Sequence, residues 1–173
     1  MDVAAWWNAA VDFARENETA IEILLFVLGF AESLVFISFF VPASALFLGI
    51  AALEGAAGNP FLPILLAGAA GCFAGDMVSF VLGSWMKENL DKRWPFNRNP
   101  FWLLRTQALF ERRGMSAIYI SKFIGPLRPV VPFVAGAMQM RTLPFAIASL
   151  GSSLIWSAAF LAPSYYGLKL LHQ

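Results

Sequence analysis

The chain has 173 residues, 59% of them hydrophobic and only 13% charged, with a formal net charge of +1. A soluble domain carries about 25% charged residues, so this sequence lacks the polar surface that water requires and belongs in a membrane, and its near-neutral charge excludes the concentrated basic face of a nucleic-acid binder. One cysteine, Cys72, and one histidine, His172, leave no material for an internal disulfide, a cysteine- or histidine-based metal site, or a histidine-dependent triad.

Residues 1–19 place Val3, Trp6, Trp7, Ala10, Val11 and Phe13 at nearly helical spacing, with Asn8, Asp12, Arg15 and Glu16 between them. The pattern predicts a short amphipathic helix in the membrane interface, where tryptophan is at home; a frayed polar tail is the alternative. The opening is acidic (Asp2, Asp12, Glu16, Glu18), unlike the basic start of a cleavable signal peptide.

The first half proper covers 20–86. Within it, segment 23–53 has Glu32 as its only charge. As one helix it would be about 46 Å long, against a hydrocarbon core of about 30 Å, too long for one span and too short for two. Pro42 falls near its centre, before the small residues Ala43, Ser44 and Ala45. Proline breaks a helix, so the segment is expected to form a re-entrant hairpin that turns near Pro42, buried in protein as broken backbone at depth must be. One long tilted helix kinked at Pro42 is the alternative. After Asn59 and Pro60, segment 61–86 reads as one full span. Its run Ala67, Gly68, Ala69, Ala70, Gly71, with Gly75 and Gly83 beyond, allows another helix to approach closely.

Residues 87–113 form the long polar stretch, with seven Lys or Arg against three acids, a net +4; the first 22 residues carry −4. The positive-inside rule puts this loop in the cytoplasm, and parity of crossings then puts both termini outside. Phe101, Trp102, Leu104, Leu109 and Phe110 within the loop predict a second interfacial helix. The second half, 114–173, repeats the pattern. Segment 114–140 groups Pro126, Pro129 and Pro132 at its middle, predicting a second re-entrant hairpin with a proline-rich turn and Gly136 on its returning arm. Segment 145–161 is a span, which Pro163 bends or ends.

The expected fold is therefore an all-α membrane protein of two inverted halves in a single domain. Each half has an interfacial helix, a broken hairpin and a transmembrane helix, an arrangement characteristic of secondary transporters.

Four ionisable residues lie at apparent membrane depth: Glu32, Asp76, Lys122 and Arg128. Each costs at least about 2.5 to 3.5 kcal/mol at the centre of a span, so they must pair or face water. Two acids in the first half and two bases in the second would neutralise one another by cross-pairing, either as salt bridges that tie the halves together or as a working site. In a working site a poorly hydrated carboxylate takes up a proton; Glu32 is the better candidate and Asp76 the second. Arg128 offers a planar fork that matches phosphate, with Lys122 behind it. The combination is a mechanism for proton-coupled movement of a phosphate-bearing lipid. No metal or cofactor is implied, and without a histidine in the membrane an enzyme acting on lipid headgroups is not expected.

The run Ser121-Lys122-Phe123-Ile124-Gly125-Pro126-Leu127-Arg128-Pro129-Val130-Val131-Pro132, followed by Ala135-Gly136, Met140, Phe145 and Trp156, resembles the signature of the DedA family, also called the SNARE-associated or VTT-domain family. Glu32-Ser33-Leu34 and Gly75-Asp76 match its first-half acidic motifs. The resemblance implies a multi-pass protein of the bacterial inner membrane with two re-entrant hairpins. It also implies proton-dependent transport and flipping or scrambling of lipids such as undecaprenyl phosphate or phosphatidylethanolamine, with monomer and homodimer both open. The chain departs from the family at Pro42-Ala43-Ser44, where Pro-Gly and an acid are usual, which leaves Ser44 among the substrate-binding candidates. It departs again at Lys122, in place of an arginine, and at Ser149, Ser152 and Ser153, in place of Asn and Gly-Ala. A non-transporting scaffold of the envelope, docking partner helices on the small-residue faces, is the alternative function.

Overall fold

The computed structural model describes residues 3–35, 37, 43–86, 100–125 and 127–171. Among them all regular structure is helical, in the order α1 (Val3–Glu16), α2 (Glu18–Ser33), α3 (Ala43–Ala57), α4 (Phe61–Trp85), α5 (Pro100–Arg113), α6 (Ser116–Ser121), α7 (Leu127–Ala137) and α8 (Thr142–Leu171). The predicted interfacial helices correspond to α1 and α5, and the predicted spans to α4 and α8. Two stretches, Phe61–Trp85 and Thr142–Gly167, are long and apolar enough to cross a membrane.

Segment 23–53 is not one kinked helix. Residue Ser33 ends α2 and Ala43 begins α3, so the break opens one residue after Glu32, well before Pro42. Pro42 itself lies outside the described residues, as do Pro126 and residues 87–99 of the basic loop. In the second half α6 has only six residues, and α7 starts at Leu127. Pro129, Pro132 and Gly136, expected around a turn, therefore stand inside α7. The physical reason is positional. The first four N–H groups of a helix have no helical acceptor, so Pro129 at the third position sacrifices no hydrogen bond. Pro132 removes one, to the carbonyl of Arg128. Likewise α8 continues through Pro163 rather than ending there.

The corner between α3 and α4 is set locally. Gly58 has φ +81°, and its N–H and that of Asn59 both return to the carbonyl of Glu54, at 3.1 and 3.2 Å. This left-handed glycine closes α3, and Pro60 then enters α4 in extended conformation.

Helix α2 packs on α4, α3 on α8, and α4 on both α7 and α8. The glycines of the small-residue face expected on α4 serve these contacts. A Cβ at Gly71 would run into the carbonyl of Phe26 on α2; Gly83 faces the Phe133 carbonyl of α7, and Gly136 of α7 faces the Phe80 carbonyl of α4. Packing at this distance replaces the hydrophobic effect as the force between helices in lipid. One apolar cluster joins Leu25, Phe47, Ile64, Trp156 and Tyr165; another joins Phe80, Ile118, Val131 and Phe145. Outward, Ile23, Leu62, Leu66, Leu143, Ile147 and Ile155 are exposed, a surface suited to acyl chains rather than water.

Because backbone atoms oppose one another at Gly136, Gly136→Ala is expected to cost about 1 to 3 kcal/mol, read as a lower midpoint of thermal unfolding in detergent. Gly49→Ala, with open space beside it, serves as the control and is expected to be neutral or stabilising. Equal midpoints for the two variants would refute the close-approach account.

Candidate functional site

The two breaks in the helical chain bring the four internal charges to the middle of the molecule. Glu32 sits at the end of α2, Asp76 midway along α4, Lys122 just after α6, and Arg128 in the first turn of α7. All four are buried, from 0% exposed for Asp76 to 8% for Glu32. They form two ion pairs, Glu32 with Arg128 and Asp76 with Lys122, each joining a first-half acid to a second-half base.

The pairs differ in how they are held. Asp76 Oδ2 receives the Lys122 ammonium at 2.5 Å and the Ser149 hydroxyl at 2.6 Å, and Lys122 also donates to Ser153 Oγ at 3.0 Å. Two serines of α8 thereby lock the pair onto that helix. Glu32 Oε1 receives Arg128 and the Ser44 hydroxyl, the latter at 2.5 Å. Ser44 thus meets the carboxylate from the first turn of α3, across the break. On the other side, Arg128 Nη2 donates to Cys72 Sγ at 3.2 Å, and the guanidinium stacks over Trp156 at 3.7 Å from the ring centre. An arginine over an indole face gains cation–π attraction when desolvated. Trp156 is itself braced edge-on by Phe47 at 5.4 Å.

Charge balances within each pair, as a buried site requires, yet not every atom is satisfied. Glu32 Oε2, Arg128 Nε and Asp76 Oδ1 are buried with no hydrogen-bond partner among the described residues. Arg128 therefore keeps a buried donor, and Glu32 a buried acceptor oxygen, that no described residue uses. Among the described residues no cluster of three His, Cys, Asp or Glu could hold a metal ion.

The structure brings together Glu32, Asp76, Lys122, Arg128 and Ser44. Pro129, Pro132 and Gly136 shape α7 around them instead of lining the centre. Cys72 went unrecognised in the sequence as a contact of Arg128, though it lies four residues before Asp76 and so on the same face of α4. Ser79 was also missed. Its hydroxyl accepts from the Val35 N–H at 3.2 Å and donates to the Ser33 carbonyl at 2.9 Å, satisfying the backbone where α2 breaks. Its spacing of three from Asp76 is the only sequence signal it offered.

Comparison with known proteins agrees with the sequence motifs. The VTT domain model matches residues 41–166. The inner membrane protein YabI of Escherichia coli (strain K12) is 33% identical over 138 residues, 79% of this chain and 54% of that protein. The inner membrane protein YqjA of the same strain is 30% identical, over 77% of this chain and 61% of that protein. An uncharacterized membrane protein of Buchnera aphidicola subsp. Schizaphis graminum is 28% identical over 79% of the chain. The chain thus spans between about half and three-fifths of the length of these relatives. No solved structure matches. With the domain model covering most of the chain and the charged pairs formed by the motif residues themselves, the protein belongs to the VTT-domain (DedA) family of membrane proteins.

Proposed function

We propose that the chain is the membrane domain of a transporter, without enzymatic activity, that moves a phosphate-bearing lipid together with a proton. The observation that carries this reading is the buried Glu32–Arg128 pair, formed across a helix break, with an unused oxygen on one partner and an unused N–H on the other.

The chemistry follows from charge balance. In the resting pair the carboxylate neutralises the guanidinium. A phosphate monoanion that reaches Arg128 competes for the same fork, for which it has matching geometry. If it displaces Glu32, the carboxylate is left buried without a cation, and taking up a proton restores neutrality. The site is neutral in both states, so one proton accompanies each monoanion. Ser44, which donates to Glu32 as a carboxylate, can turn its hydroxyl to accept from the protonated acid. The Asp76–Lys122 pair, fixed by Ser149 and Ser153, anchors the second-half turn to α4 and α8 while the other pair exchanges partners.

An arrangement of two inverted, re-entrant halves supports alternating access around this centre. The packing pattern favours it: replacing α1–α4 by α5–α8 turns the main partnerships into others that occur. The α2–α4 contact becomes α6–α8, α1–α3 becomes α5–α7, and α3–α8 becomes α7–α4. The scaffold alternative has less to work with, because Gly71 and Gly83 of α4 already lie against α2 and α7.

The test is reconstitution into liposomes, following flip-flop of a labelled isoprenoid phosphate, an anionic phospholipid, phosphatidylethanolamine and phosphatidylcholine, with and without a pH gradient. Accelerated movement of phosphate-bearing lipid, biased by the gradient, is expected. Rates equal to protein-free liposomes for every lipid would reject transport and favour the scaffold.

A further inference from the structure

A third buried acid stands apart from the central charges. Glu54, on the last turn of α3, is 1% exposed and takes part in none of the three ion pairs among the described residues. It lies outside the two candidate spans, at the corner where α3 turns into the start of α4, against the end of α1. Its Oε2 accepts from Asn59 Nδ2 at 3.1 Å, and its Oε1 has no partner among the described residues.

Asn59 has nothing further to give. An amide carries two N–H donors; here Nδ2 serves both Glu54 and the Ala14 carbonyl of α1, the latter at 3.2 Å. The Asn59 backbone carbonyl in turn accepts from the Tyr165 hydroxyl of α8. Among the described residues, the charged groups around the corner do not compensate a carboxylate. From α2 come Glu18 and Glu22, both acids. From α1, Arg15 directs Nε to the Ala57 carbonyl at 3.1 Å and pairs with Asp12 at 3.7 Å. From α8 the titratable groups with described side chains are Tyr165 and Tyr166, and α4 offers none before Cys72. Burial raises the Glu54 carboxyl above its ordinary value of 4.5, the Asn59 hydrogen bond draws it partly back, and Glu18 and Glu22 push it up again.

We propose that Glu54 is a proton-binding site distinct from the Glu32–Arg128 centre, and that the proton it holds keeps α1 docked on the α3–α4 corner. The link to α1 is Asn59. A neutral Glu54 supplies its own O–H and needs one Asn59 donor, which leaves the other for Ala14. An ionised Glu54 has two acceptor oxygens competing for both Asn59 donors and faces Glu18 and Glu22, so the Ala14 contact is lost. The sign follows: the folded state binds this proton more tightly than the unfolded chain, so docking is complete near pH 4.5 and below, and weakens as pH rises through the raised folded value.

The experiment uses the purified full chain in detergent and does not depend on transport, so its failure is distinguishable from failure of the lipid reading. Infrared difference spectra of wild type are expected to contain a protonated-carboxyl band that Glu54→Gln lacks. Amide exchange over α1, divided by that of Glu54→Gln at the same pH, is expected to rise about tenfold per pH unit once the carboxyl titrates. Glu54→Met, which keeps the volume and removes the charge, accompanies Glu54→Gln and is expected to fold as well as wild type. Identical carboxyl bands in wild type and Glu54→Gln, a flat exchange ratio, or failure of both variants to fold would each overturn the proposal, the last by showing that an ionised Glu54 holds the corner.

Discussion

Arg128→Ala is expected to reduce lipid movement to the rate of protein-free liposomes and to destabilise the protein as well. Removing one member of a buried pair strands the other: Glu32, 8% exposed, would keep only Ser44. Breaking such a pair typically costs about 3 to 5 kcal/mol, and here the Trp156 stacking and the Cys72 contact disappear with it. Two further variants separate transport from stability. Arg128→Lys retains the charge and recovers most of the stability, but it loses the planar fork and is expected to remain inactive. Glu32→Gln retains the shape and the Ser44 contact but cannot exchange a proton, so any residual movement loses its response to a pH gradient. The measurements are flip-flop in liposomes and thermal unfolding in detergent. Movement at the wild-type rate in Arg128→Ala would sink the proposed chemistry.

The second large effect belongs to the other pair. Lys122→Met is expected to destabilise by about 3 to 5 kcal/mol, because Asp76 at 0% exposure would be left with the Ser149 hydroxyl alone. Adding Asp76→Asn to Lys122→Met removes the stranded charge, and the double variant is expected to unfold at a higher temperature than Lys122→Met by itself. Strong coupling of this sign is the mark of residues that touch. A double variant as unstable as the two single losses combined would show that the pair acts independently of its charges.

Much of this organisation was legible in the chain. Apolar segments bounded by charge located α4 and α8, amphipathic spacing located α1 and α5, and the four charges inside apolar segments identified the residues that meet at the centre. Their cross-pairing followed from charge balance alone, since two acids and two bases at depth have few neutral arrangements. Which acid meets which base did not follow. Glu32 finds Arg128 in the first turn of α7, while Asp76 takes Lys122 just after α6. That choice depends on how α6 and α7 settle against α4, through backbone contacts such as Gly83 with Phe133 that leave no pattern of charge or period.

The prolines were legible only in part. Their grouping announced a broken segment, but the cost of a proline depends on its place in a helix, and α7 absorbs Pro129 where no N–H is needed. In the sequence Glu54 does no more than follow the apolar segment 23–53, five residues before Asn59. Its burial arises because α1 and α8 close over the corner from distant parts of the chain.

The sequence by itself determined the compartment, the family and the identity of the residues that carry charge into the membrane, because composition and local spacing act through solvation, which each residue meets individually. The tertiary structure decided the partners: Arg128 for Glu32, Lys122 for Asp76, Asn59 for Glu54, and Ser79 for the broken end of α2. Pairing is a property of distances between elements remote in the chain, fixed by how closely helix backbones approach. Those distances tie Asp76 to α8 through Ser149, hold Glu32 against Arg128 across a helix break, and leave Glu54 with Asn59.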